Sequence, residues 1–263
     1  MRVYDEMARR APRVVMRVVS GTGAVEEVTR EEVLEQAERG SRALASRGVR
    51  RGDRVAVQME RGKAQTSAFL AVWRLGACVV PLFERLGSEG VGTRLEQSGA
   101  VLQLGGMAQW EAMTREDRPS VAEQPVSAEE PLALLFTSGT SGRPKGVAVT
   151  SRSLPSAEAY LRTGLALEPG GGGRFFNAAD PAWAYGLYYN LLGPLWCGLS
   201  VHHLAPGAPL SALAALAPTD LAAAPAFYGL LSREQVPLPG LQRCSSAGEL
   251  MGQALRDQWK VGS

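Results

Sequence analysis

Residues 134–150 read L-L-F-T-S-G-T-S-G-R-P-K-G-V-A-V-T, and no other stretch restricts the fold as tightly. An apolar run, Leu132 to Phe136, has the character of a buried strand, and a second β-type run, Val147 to Val149, follows it. The loop between them opens with Thr137, Ser138, Gly139, Thr140, Ser141 and Gly142, all hydroxyl residues or glycines, and leaves through Arg143, Pro144, Lys145 and Gly146. Glycines let successive backbone N–H groups turn inward with no Cβ in the way. Such a concavity binds anions, and four hydroxyls and a lysine add donors and charge. The chemistry it suits is the holding of a polyphosphate. The Walker P-loop is a different pattern, with Gly, four residues, then Gly-Lys-Ser/Thr. Here Pro144 precedes Lys145 and Gly146 follows it. A flexible Ser/Gly linker is the plainer alternative, but the flanking β-type runs and the stiff Pro-Lys-Gly exit weigh against it. The lysines of the chain are Lys63, Lys145 and Lys260, against many arginines. A lysine inside this loop therefore points to a need for a compact charge on a flexible stem.

The rest of the chain predicts an α/β architecture. Val28 to Gly48 opens with a capping box, Thr29 with Glu32, and stops at Gly48. Strands at 54–59, 78–82 and 101–104 alternate with helices at 64–75 and 89–97, which implies βαβ units and parallel pairing. Met107 to Arg115 reads as a short helix and 116–131 as a surface connection. Ser153 is placed to cap a helix running to Leu165. The E-P-G-G-G-G stretch, Glu168 to Gly173, is the best internal boundary, read as an exposed loop. Alternation then resumes. Strands are predicted at 174–177, 199–204, 221–224 and 241–245. Helices are predicted at 184–197, interrupted by Gly193-Pro194, and at 210–216 and 226–232, with a last amphipathic segment at 250–259. Ligands in such sheets bind beyond the carboxyl ends of the strands.

At 263 residues and 45% apolar content there is enough chain for a sizeable core. The net charge of +2, with both signs interspersed, forms no nucleic-acid or membrane-surface patch. Cys78, Cys197 and Cys244 are odd in number and widely spaced, which predicts buried free thiols in a reducing compartment. The opening M-R-V-Y-D-E-M-A-R-R lacks the apolar stretch of a secretory signal, and Pro218, Asp220 and Pro225 break the Ala-rich segment 210–231. A soluble cytoplasmic protein is expected. His202 and His203, adjacent on a predicted strand, point to opposite faces and are read as structural; no Cys/His spacing resembles a zinc site.

Two further stretches stand out. In D-P-A-W-A-Y-G-L-Y-Y, Asp180-Pro181 reads as a helix start, with Asp180 as cap and Pro181 at the first helical position. Its aromatics, Trp183, Tyr185, Tyr188 and Tyr189, suit either a core or a binding wall. In C-S-S-A-G-E-L, a glycine after a strand permits close backbone approach to a ligand.

The segment T-S-G-T-S-G-R-P-K-G resembles the signature loop of the adenylate-forming (AMP-binding) superfamily, which contains acyl-CoA synthetases, peptide-synthetase adenylation domains and luciferases. The resemblance implies the N-terminal part of the acyl-CoA synthetase-like fold: two βαβ-type subdomains with largely parallel sheets, the second truncated. The subdomain boundary would lie near 166–173, in an N-terminal domain spanning 1–263 with the C-terminal lid absent. It implies that Thr137 to Gly142 and Lys145 hold ATP, and that Gly248 and Glu249 contact the adenine. Asp180, Trp183, Gly186 and Tyr189 match the D-x-G-W-x-x-G-x-x-Y stretch that lines the carboxylate pocket. Ala182 replaces a usual Gly, and Leu250 follows Glu249 where Pro is common. Ala224-Pro225-Ala226 also resembles the family's turn there.

The implied reaction converts a small carboxylic acid with ATP into acyl-AMP and pyrophosphate, and then into a thioester with CoA. Mg²⁺ is implied, although the family's Y-G-x-T-E carboxylate, T-G-D aspartate and lid lysine fall beyond Ser263. Two alternatives stand beside this reading. One is a stand-alone adenylation enzyme loading a carrier protein. The other is a catalytically incomplete nucleotide-binding fragment or split-enzyme half, its sheet edge covered by self-association or a complementing chain.

Overall fold

The computed structural model describes residues 2–137, 144–170 and 172–259. The chain opens with a helix, Val3–Arg10, and an antiparallel pair, β1 (Val14–Val19) and β2 (Val25–Thr29). The sequence pattern predicts no element before Val28. Its reason is visible in β1, V-V-M-R-V-V, a nearly continuous apolar run. A strand buried on both faces loses the alternation by which strands are recognised.

The helix Arg30–Ser46 follows with its capping box formed. The Thr29 side chain accepts from the Glu32 N–H, and Glu32 Oε2 accepts from the Thr29 N–H at 2.8 Å. Then come β3 (Arg54–Gln58), β4 (Cys78–Leu82), β5 (Leu102–Leu104), β6 (Pro131–Thr137) and β7 (Lys145–Thr150), joined by helices Lys63–Arg74, Ser88–Ser98 and Met107–Thr114. They form a sheet of order β5-β3-β4-β6-β7, parallel except for the β6/β7 hairpin. The helix Lys63–Arg74 is buried from Ala64 to Trp73, on every side. Such a helix belongs to the interior. Trp73 Nε1 donates to the Leu132 carbonyl at 2.8 Å, and Trp110 Nε1 to Ser67 Oγ at 3.0 Å.

The chain then returns to the sheet it began. β8 (Phe175–Asn177), β9 (Val201–Leu204), β10 (Asp220–Ala223) and β11 (Arg243–Ser246) are parallel to one another, and β9 pairs with β1, giving the order β11-β10-β8-β9-β1-β2. The expected α/β fold with two largely parallel sheets is the fold observed. One core of buried side chains, from Met7 and Phe69 to Leu192 and Val201, spans both sheets. No helix among the described residues is long and apolar enough to cross a membrane.

Two local expectations are corrected. Ser153 does not cap a helix: it has helical dihedrals, and its hydroxyl donates back to the Thr150 carbonyl at 2.7 Å. The segment 151–164 is instead a tight turn, a short helix and a wide π-turn, Tyr160–Gly164. Nor do Gly193 and Pro194 interrupt the helix 184–197. Proline removes one N–H from the ladder, and the helix continues by widening before it. Leu187–Leu192 is a π-turn whose Gly193 N–H reaches the Tyr188 carbonyl, five residues back.

Candidate functional site

Both sheets present the carboxyl ends of their parallel strands to a common region, and each end carries one group of the residues singled out by sequence. On the five-stranded sheet, β6 delivers Thr137 and β7 begins with Lys145; the two are register partners at the open end of the hairpin. Lys145 is exposed. Ser138, Gly139, Thr140, Ser141 and Gly142 lie outside the described residues.

On the six-stranded sheet, β8 ends in Asn177 and leads into a strap, 178–186. Asp180 is not the cap of the following helix, and Pro181 is not its first residue. The helix starts at Ala184, with Trp183 in the capping position. Asp180 instead closes a tight turn on itself: its Oδ1 accepts from the Ala182 N–H at 2.7 Å, and its carbonyl from the Trp183 N–H at 2.9 Å. An aspartate that can bond two residues onward prefers this local turn to a helix start. Burial pushes the Asp180 carboxyl upward, against the pull of the Ala182 N–H and the Arg61 guanidinium.

Gly186 is fixed by close approach. A Cβ there would stand 2.0 Å from the Asp180 carbonyl oxygen. The strap therefore folds back onto its own helix, and this turns Trp183 outward. The Trp183 ring lies on Gly248, where a Cβ would meet Trp183 Cη2 at 2.6 Å and where φ is +103°. Glu249 Oε1 accepts from the Ala226 N–H at 3.2 Å. Ala224 caps the helix Pro225–Arg233 without a side-chain acceptor, so a carboxylate from another strand end fills that role. The D-P-A-W, A-P-A and G-E stretches thus converge at one place.

Tyr160 and Tyr228, which carry no sequence signal, complete this wall together with residues of those stretches. Tyr160 and Tyr185 each hydrogen-bond Ser245 Oγ, at 2.9 and 2.6 Å. Tyr189 packs against Tyr160 and Tyr185, with ring centroids 4.5 and 5.4 Å away. Tyr228 donates its hydroxyl toward the Leu221 and Ser245 carbonyls, 2.8 Å from each, tying β10 to β11. Burial raises the phenols of Tyr185, Tyr189 and Tyr228, so all three remain neutral donors. Both π-turns serve this wall: one carries Tyr160, the other Tyr188 and Tyr189. Wide turns of this kind recur at functional sites.

Arg61, after β3, meets the strap from the other sheet. Its Nη1 donates to the Asn177 and Ala178 carbonyls at 3.3 and 2.9 Å. It also borders a cleft of about 250 Å³ with Glu60, Glu84, Arg85 and Phe227. The cysteines stand apart from any such chemistry. Burial pushes the Cys78 thiol up to about 12, and those of Cys197 and Cys244 to about 11, so all three stay protonated. His202 Nδ1 lies 2.9 Å from the Phe175 carbonyl, inside the sheet, and both histidines are buried.

The sequence model of the AMP-binding enzyme family matches residues 4–262. The chain belongs to this family. A member similar over most of the chain is the 3-hydroxybenzoate--CoA/4-hydroxybenzoate--CoA ligase of Thauera aromatica. It is 28% identical over 272 residues, which cover 88% of this chain and 51% of that protein. A nonribosomal peptide synthetase of Ceriporiopsis subvermispora is 29% identical over 273 residues, 91% of this chain and 11% of that one. Among solved structures, the acyl-CoA synthetase of Brucella canis superposes with a TM-score of 0.85 at 27% identity, over 96% of this chain and 54% of that chain. This AMP-binding family chain spans about half the length of the CoA ligase and the synthetase it matches.

Proposed function

We propose that this chain carries the ATP- and acid-binding part of an AMP-forming acid–thiol ligase. The observation that supports it most is the seating of Trp183 on Gly248, beside the Tyr160–Ser245–Tyr185 hydroxyls. This sets the acid stretch against the G-E stretch at the carboxyl end of one sheet. In this reading Asp180, Trp183, Gly186 and Tyr189 shape the acid pocket, Gly248 and Glu249 border the adenine, and Thr137 to Gly142 with Lys145 hold the triphosphate. A carboxylate oxygen of the acid attacks the α-phosphorus, the bond to the β-phosphate oxygen breaks, and pyrophosphate leaves. A thiol sulfur then attacks the acyl carbon, and AMP leaves. The substrate carboxylate is itself the nucleophile, so the protein's work is orientation and charge stabilisation. Mg²⁺, which the family resemblance implies, would be held chiefly through the triphosphate and would neutralise its charge, and no step here runs through it.

CoA is the acceptor favoured by the D-P-A-W-A-Y-G stretch. The three free thiols agree with a reducing cytoplasm. Residues 1–263 form one N-terminal domain in this reading, with a subdomain boundary near 166–173. A second reading, a nucleotide-binding piece that works with a complementing chain, draws on the half-length match and on β11 standing at the sheet edge.

The test is ATP–pyrophosphate exchange with a panel of benzoates, short fatty acids and amino acids. Acid-dependent exchange that falls at least about tenfold in Lys145→Ala is expected if the loop lysine stabilises the transferring phosphates. ATP binding without exchange would favour the second reading. Absence of ATP binding would rule out both. Supplying CoA or a phosphopantetheinylated carrier protein as acceptor separates the two ligase types.

A further inference from the structure

Arg61 stands where the two halves of the site meet. Its backbone is set by the turn that ends β3: Gly62 takes φ +147°, and Gln65 Nε2 holds the Met59 carbonyl at 2.9 Å. The helix Lys63–Arg74 that follows is buried, so this turn has little freedom. β3 and β6 flank β4 in one sheet, which makes Arg61 rigid with respect to the hairpin bearing Thr137 and Lys145. From this frame the guanidinium crosses to the other sheet and grips the carbonyls of Asn177, the end of β8, and Ala178, the start of the strap.

The strap is tied to its own sheet as well. Asn177 Oδ1 accepts from the Ala179 N–H at 2.8 Å, Asn190 Nδ2 reaches the Ala179 carbonyl at 3.2 Å, and the Ala178 N–H donates to Ala222 at 2.8 Å. Those bonds shape the strap but say nothing of its distance from the phosphate loop. Arg61 supplies that distance. Burial lowers the guanidinium's pKa, and the charge of Asp180 in the strap opposes that shift. Both bonds leave the same Nη1, at the tip of a rigid planar group that holds its place better than a lysine ammonium on a flexible stem.

We propose that Arg61 is a positioning residue, holding the acid-binding strap at a fixed distance from the triphosphate-binding hairpin so that the carboxylate meets the α-phosphorus. This rests on the ligase reading above and adds a residue to it.

Hydrogen exchange of the whole chain, read by mass spectrometry for wild type, Arg61→Lys and Arg61→Met, tests the tie without need of turnover. Amides of 178–183 should exchange about tenfold faster in Arg61→Met, the loss expected for a charge-assisted hydrogen bond, and to an intermediate degree in Arg61→Lys. Amides of β3 and of Lys63–Arg74 should be unchanged, because Arg61 already borders a solvent-filled cleft. Unchanged strap exchange overturns the proposal. Uniform acceleration, controls included, also overturns it, since Arg61 would then act on stability alone.

The second arm is pyrophosphate exchange with benzoate, or whichever panel acid reacts fastest, and equilibrium binding of trinitrophenyl-ATP. ATP affinity should hold while the KM for the acid rises about tenfold and kcat falls, as expected when near-attack geometry is lost. Equal loss of ATP affinity counts against the proposal. Absence of exchange in wild type defeats the ligase reading, while the amide data still decide the role of Arg61.

Discussion

At the scale of single residues, two glycines do opposite work. Gly186 is enclosed by backbone: its absent Cβ would meet the Asp180 carbonyl at 2.0 Å and the Ala179 carbonyl at 2.8 Å. Backbone cannot swing aside as a side chain can, so Gly186→Ala should destabilise by roughly 2–3 kcal/mol or more, the upper range for overpacking. Urea unfolding measures it. Gly248 faces a ring instead. Gly248→Ala strains a positive φ and pushes Trp183 off its seat, at an exposed strand end. Its expected signature is a shift in tryptophan emission and at least about a tenfold weaker acid response in pyrophosphate exchange, the scale of a lost packing contact, with a smaller stability change than Gly186→Ala. An unaltered emission spectrum would show that Trp183 does not rest there.

Elements show what a sequence announces and what it conceals. The capping box at Thr29 and Glu32, and the glycine stop at Gly99, are local chemistry, and the helices begin and end where those residues say. Thr29→Ala should therefore cost about 1 kcal/mol, the usual value of a lost cap, as a lower urea midpoint at unchanged slope. The acid and G-E stretches were legible because each carries a motif within a dozen residues. Tyr160 and Arg61 were not. Each owes its place to a partner far along the chain: Tyr160 to Ser245, and Arg61 to Asn177. In sequence Arg61 is simply a charge in a polar turn. Asp180 is ambiguous in sequence for a related reason. A cap and an Asx-type turn use the same side chain, and the decision between them came from the fold-back onto Gly186.

The whole molecule carries a titration signature. Burial holds His202 down to about 4 and His203 to about 3, so both stay neutral in the native state. The unfolded chain protonates them near 6.5, binds more protons, and gains on the native state as pH falls below that value. Glu123 works the other way. Burial, then Asp5, raises its carboxyl to about 7, so the native state binds that proton more readily between its ordinary value and pH 7. Two histidines outweigh one glutamate. Stability should fall gently from pH 6.5 to about 4.5, where the Glu123 gain is complete, and more steeply below. Glu123→Gln should steepen the first stage. Urea midpoints at pH 7.5, 6 and 5 check both, and a flat profile would contradict the buried neutral histidines.

The threading of β1 sets a schedule for synthesis. Met16 pairs with Val201, so β1 leaves the ribosome well before its parallel partner, with about 185 residues still to follow. At 5–20 residues per second that delay is on the order of ten seconds or longer. The five-stranded sheet, by contrast, has all of its strands in hand by Thr150 and can pair them long before then. Meanwhile V-V-M-R-V-V waits with only β2 beside it, a sticky apolar ribbon in a crowded cell. Yield in the cell should thus depend on chaperones that shelter β1 while its partner strand is still to come.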